Sequence, residues 1–95
     1  MRVEWDEKKS RLNRRKHGIS FHLAQEVFGD PFRLTIPDQT VEGEERIWTI
    51  GRLERLLIVV VVHTIWDDRG EEVIRIISAR RATPRERRFY EEADR

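Results

Sequence analysis

VIRIISARRATPRERRFY, residues Val73 to Tyr90, is the stretch whose reading decides the fold. Its first half has the period of two that marks a strand, with Ile74, Ile76, Ser78 and Arg80 on one face and Arg75, Ile77, Ala79 and Arg81 on the other. Thr83 ends the strand and starts a helix. It is a good N-cap, Pro84 suits the first helical position, and Glu86 stands three residues after the cap, the capping-box spacing. Arg80, Arg81, Arg85, Arg87 and Arg88 place five guanidinium groups within nine residues. Such a cluster repels itself unless an anion lies between, and phosphate suits the planar fork. The plainer reading is a solvated helix on which Glu86, Glu91 and Glu92 neutralise the arginines three and four residues away.

Working back toward the N-terminus, Leu56 to Thr64 is an almost continuous apolar, β-branched run, expected to form a central strand buried on both faces. Leu53-Glu54-Arg55 reads as a tight connection before it, and Trp66 to Gly70 as a turn after it. Arg46 to Arg52 reads as a strand, with Arg46, Trp48, Ile50 and Arg52 on one face and Ile47 and Thr49 on the other. Pro37 to Glu45 reads as an acidic loop, and Phe32 to Ile36 as a strand. Ser20 caps a helix carrying Phe21, Leu23, Ala24, Val27 and Phe28, which Gly29-Asp30-Pro31 stops. Asp6 caps an earlier helix, Glu7 to Lys16, closed by Gly18. On it Lys9, Asn13 and Lys16 share a face, and Asn13, a poor helix former, points to a partner for its amide. Val3 to Trp5 is a short strand or an extended lead-in. The expected fold is α+β: two N-terminal helices, an antiparallel sheet of about four to five strands and a C-terminal helix.

The chain's 95 residues are expected to form a single domain, 1–95. Charged residues (39%) match hydrophobic ones (38%), so a thin core lies under a charged skin. With no cysteine, disulfides and thiolate metal sites are excluded. The start, MRVEWD, has no apolar leader region, and no apolar run nears the roughly 20 residues of a membrane helix, so a cytoplasmic protein without membrane contact is expected. The net charge of +1 argues against coating nucleic acid by bulk charge. Residues 1–20 carry seven basic groups against three acids, while residues 38–45 hold four acids and no base, a pattern of focused anion binding.

Converging carboxylates or paired histidines, as a metal-dependent nuclease requires, are not evident, and no cofactor is expected. A metal-free ribonuclease fits better. RNA supplies its own 2′-hydroxyl nucleophile, and preorganised arginines stabilise the charge that builds on phosphorus. His63, His17, Lys16, Glu44 and Tyr90 are all candidates for acid and base. His63 enters by position: it follows the apolar strand and can lie across from Arg75 to Ser78. Its plainer role is a hydrogen-bonded histidine at the sheet rim.

The chain resembles the BrnT family of bacterial type II toxins. The likeness lies in Glu4-Trp5-Asp6, in N-x-x-K-H-G-I-S-F (Asn13 to Phe21), in F-x-D-P (Phe28 to Pro31), in E-x-E-E-R-x-x-T-I-G (Glu42 to Gly51), and in R-I-I-S-A-R-R-A-T-x-x-E-R-x-x-Y-E (Arg75 to Glu91). The resemblance implies a RelE-like fold and a translation-stopping endoribonuclease that acts on RNA, free or as ribosome-associated mRNA. It also implies neutralisation by a BrnA-type antitoxin, with operator DNA bound only through that antitoxin. On this reading Arg75, Arg80, Arg81 and Glu44 form the catalytic set, to which His63 is added by its position alone; Lys16, His17, Arg46, Ser78, Glu86 and Tyr90 bind RNA. The rival reading is a non-catalytic binding module in an antitoxin–operator complex.

Overall fold

The computed structural model describes residues 1–54 and 57–93, with Gln39 described by its backbone alone. Along the chain, β1 (Arg2–Glu4) leads to α1 (Glu7–His17), α2 (Phe21–Ala24) and a 3-10 turn (Gln25–Gly29). Then come β2 (Leu34–Val41), β3 (Glu44–Arg52), β4 (Ile58–Asp68), β5 (Glu71–Arg81) and α3 (Pro84–Glu92). The five strands lie in the order β1-β5-β4-β3-β2, which puts β4 in the centre. Arg55 and Leu56, in the expected connection and the start of the central strand, lie outside the described residues.

The sheet is mixed, where an antiparallel one was expected. β1 runs parallel to β5, with Val3 opposite Ile74 and Glu4 opposite Arg75; the other pairings are antiparallel. Most of the chain separates β1 from β5, so no tight turn dictates their relative direction. The expected acidic loop is mostly strand. β2 and β3 meet at Glu42 and Gly43, both at positive φ (50° and 78°), the backbone that a tight two-residue hairpin requires. Pro37 is tolerated because β2 is an edge strand, and the register slips between Pro37 and Gln39. Trp66 to Asp68 likewise belong to β4, whose turn into β5 is only Arg69-Gly70.

A bulge in β5 decides which side chains face which way. Val62 pairs with Ser78 and His63 with Ile76, leaving Ile77 without a partner. Because side chains alternate with period two, one extra residue flips the faces beyond it. Ala79, not Ser78 or Arg80, therefore joins Ile74 and Ile76 in the core. That core lies under α2 and the 3-10 turn and joins Ile19, Phe21, Val27 and Phe28 to Val59 and Val61. Gly51 of β3 is required here, since a Cβ at this position would come within 2.4 Å of Val27 Cγ2. On the opposite face a smaller core joins Ile50, Ile58 and Val60 to Tyr90 of α3.

α1 docks by hydrogen bonds more than by apolar packing, since its buried residues are Ser10 and Asn13. β1 pairs with only the first part of β5, so the strand beyond Arg75 would otherwise present an open edge. Asn13 fills that role as the sequence implied. Its Nδ2 donates to Ala79 O and Ile19 O, each at 2.8 Å, and its Oδ1 accepts from Ala79 N–H at 3.3 Å. Ser10 Oγ accepts from Phe21 N–H at 2.9 Å and ties α1 to α2. The capping box predicted at α3 is present, with Thr83 Oγ1 accepting from Glu86 N–H and Glu86 accepting from Thr83 N–H.

Candidate functional site

α3 covers only part of its face of the sheet. The strand register lays out the rest in cross-strand rows. One runs Ile36, Trp48, Val62, Ser78; a second runs Thr64, Arg75, Glu4, with Arg46, two residues before Trp48 on β3, on the same face; Ile50, Val60 and Arg80 lie in a third beside α3. The register thus gathers Arg46, Arg75, Ser78 and Arg80, four of the residues singled out from sequence, on one face. The bulge at Ile77 is what brings Arg80 there.

Arg80 is the best-held of these groups. Its Nη1 and Nη2 donate to the two oxygens of Glu86 at 2.7 and 2.9 Å, and Nη1 also donates to Arg81 O at 3.2 Å. Its guanidinium carbon lies 5.3 Å from the centre of the Trp48 ring, within cation–π range. Glu86 accepts from Arg80 and from the Thr83 N–H, so its carboxyl is held down to about 2. It is ionised at neutral pH and cannot serve as a general acid. The end of the Arg80 fork is committed to Glu86. Its Nε–H and second Nη2 proton carry no hydrogen bond among the described residues, and a phosphate can take that open side as a bidentate pair.

The other two arginines of this face are also tethered. Arg75 Nη1 donates to Glu4 at 3.0 Å, and Glu4 is shared with Arg2 at 3.8 Å. Arg46 Nε lies 3.8 Å from Glu44 and is buried without a hydrogen bond. The arginines therefore do not converge on one point as the sequence reading imagined. They lie along a face, each beside a carboxylate.

The remaining expected residues fall elsewhere. Arg81, opposite Val59, turns to the other face, and its guanidinium has no hydrogen bond or ion pair among the described residues. Lys16 and His17 line a groove of about 240 Å³ between α1 and the edge of β5, which Ser78 also reaches. Tyr90 is buried and donates its hydroxyl to Asp30 Oδ2, joining α3 to the rim of the sheet. Burial would raise the Asp30 carboxyl, but hydrogen bonds from Tyr90, Arg52 N–H and Phe32 N–H bring it below its usual value. Tyr90 thus serves packing in this structure.

His63 does not share the arginine face. It lies on the opposite side of β4 with Val59 and Val61, 1% exposed, its ring edge-on to Phe28 at 4.9 Å. Its Nε2 is 2.7 Å from Thr49 Oγ1, and burial pushes its pKa below the usual 6.5. His63 does lie across from Ile76, within the expected Arg75 to Ser78 stretch, but its ring is on the face away from Arg80, so a proton shuttle between it and a phosphate on Arg80 would have to cross the sheet.

Sequence reasoning passed over Trp48 and Glu4 as site residues. A stacked Trp or a tethering carboxylate has no local signature; only the register shows either. Among the described residues no three His, Asp or Glu side chains are grouped to hold a metal ion.

The family model for the BrnT ribonuclease toxin of type II toxin–antitoxin systems matches residues 5–86. The crystal structure of the Brucella abortus ribonuclease toxin BrnT is 31% identical and superposes with a TM-score of 0.61, covering 87% of this chain and 97% of that one. Among curated proteins no relative matches. Fold and sequence together define a toxin of the ribonuclease class from a type II toxin–antitoxin system. The chain belongs to the BrnT family.

Proposed function

We propose that this protein is a metal-independent endoribonuclease of RelE-like type that cleaves RNA on the open sheet face and so stops translation. The carrying observation is Arg80, clamped by Glu86 over Trp48 with one side of its fork open. The RNA 2′-hydroxyl attacks the adjacent phosphorus, the P–O5′ bond breaks, and a 2′,3′-cyclic phosphate and a 5′-hydroxyl result. Arg80 binds the non-bridging oxygens of the scissile phosphate, where negative charge grows in the transition state, and Arg75 meets a neighbouring phosphate further along the face. Glu44 or Glu4 takes the 2′-hydroxyl proton, directly or through a water, and a water gives a proton to the 5′ oxygen as it leaves. Arg46 and Ser78 extend the face along the RNA. Lys16 and His17 meet a further phosphate at the β5 edge, and Arg81 one beyond the end of that strand. Glu86 acts through Arg80 as a positioning residue.

A BrnA-type antitoxin neutralises the toxin and carries it to operator DNA. The carboxylate beside each arginine also favours a second reading, a non-catalytic module whose charges are already satisfied. Incubation of purified protein with RNA in EDTA separates the two. Discrete cuts ending in cyclic phosphate, lost in Arg80→Ala while the protein stays folded, support the enzyme. Binding without cuts, or full cutting by Arg80→Ala, removes the mechanism.

A further inference from the structure

A groove of about 430 Å³ lies between α3 and the β2–β3 hairpin, beside the proposed phosphate site. Ile36, Ile50 and the half-buried Trp48 line it from the sheet, and Phe89, 55% exposed, lines it from the helix. Its volume is in the range of small-molecule sites. An apolar aromatic slot with no ligand chemistry would need nothing more, yet this one has charged groups around it. Arg85 lines it, and Arg80 stacks on the same Trp48. Two carboxylates also line it. Glu86 spends both oxygens on Arg80. Asp38 makes no hydrogen bond or ion pair among the described residues, and it stands where β2 slips register, outside the ladder pairs.

We propose that this groove is a nucleobase slot, in which one RNA base stacks between Trp48 and Phe89 and offers its Watson–Crick edge to Asp38. This deepens the ribonuclease reading and rests on it. The base is guanine. N1–H and the N2 amino group are adjacent donors that match the two oxygens of a carboxylate; adenine and cytosine each offer one amino group, and uracil one imino proton. Sequence-tolerant stacking on aromatic rings is a general device for single-stranded RNA, and edge hydrogen bonds add the selection. The guanidinium groups of Arg80 and Arg85 keep the phosphate of that nucleotide beside the slot. An apolar anchor from a protein partner fits less well, because it would strip water from Asp38 and return no donor.

The test is titration of the intact protein with GMP, AMP, CMP and UMP, followed by the Trp48 indole resonance, which Trp48→Phe identifies. GMP should move that resonance at the lowest concentration. Phe89→Ala should weaken all four nucleotides about tenfold, the scale of one lost stacking contact. Asp38→Asn should remove the preference for GMP and, in RNA, the preference for cuts beside guanine. Thermal melting confirms that both variants fold. No movement at Trp48 with any nucleotide overturns the slot, as does equal movement with all four that Asp38→Asn leaves unchanged. If both variants cut and bind normally but release a co-purified antitoxin more easily, the groove is a protein-docking site and the slot is wrong. Binding is read apart from cleavage, so a protein that takes GMP at Trp48 yet cuts no RNA fails the ribonuclease reading and not the slot.

Discussion

On one face of the sheet, under α2 and the 3-10 turn, His63 is buried at 1% exposure against Phe28 and Thr49, and burial favours its neutral form. On the other face, beside α3, Arg80 keeps a third of its side chain exposed and carries its charge on Glu86 and Trp48. Both residues sit on adjacent strands of the same sheet. Burial on the covered part of the His63 face turns a polar group into a packing element by making its charge costly. The open face lets a guanidinium stay charged and partly unbonded, which anion chemistry needs. Polarity in the sequence is thus a poor guide to function without knowledge of the face.

The contrast can be broken most directly by cleavage assays. Arg80→Ala is expected to lower RNA cleavage about 100- to 1000-fold, the usual loss for one transition-state donor. His63→Gln should leave cleavage per folded molecule near wild type; an equal collapse in both would mean that the two faces are not functionally separate. Next in size is Asn13→Ala, which leaves Ala79 N–H and C=O without their side-chain partner. A loss of about 2–6 kcal/mol in denaturant unfolding is expected, since each of the two buried orphan groups costs about 1–3 kcal/mol. Gly51→Ala tests the packing of the covered face. Its methyl would collide with Val27, and overpacking of this kind costs about 1–3 kcal/mol with little change in activity per folded molecule.

The smallest effects are in pH. Glu86 is held down to about 2 from an ordinary 4.5, so its contribution to stability is complete above pH 4.5 and fades as pH falls toward 2. Glu86→Gln should flatten the melting profile in that window. His63 works at a higher pH. The unfolded chain takes up a proton near pH 6.5 while the folded histidine resists it, so stability falls as pH drops below 6.5. His63→Gln should remove that part of the slope. Profiles that coincide with wild type in both windows would show that neither face perturbs its titrating group.

The start of α3 was legible because its signals are local: Thr83, Pro84 and Glu86 interact within one turn. Asn13 was legible in part, since an amide in mid-helix suggested a partner without naming it. The β2–β3 hairpin was not, because its acidic composition mimics a solvated loop and its turn is only Glu42-Gly43. The tethering of Arg75 by Glu4 was hidden because it depends on a parallel pairing across most of the chain.

By itself the sequence determined the order of helices and strands, the caps, the charge pattern and the family, because each is written in neighbouring residues or in motifs along the chain. Only the tertiary structure decided that Arg80 stacks on Trp48, on the face of the sheet away from His63. The physical reason is the period of two: an extra residue at Ile77, with no signature of its own, exchanges the faces of everything beyond it.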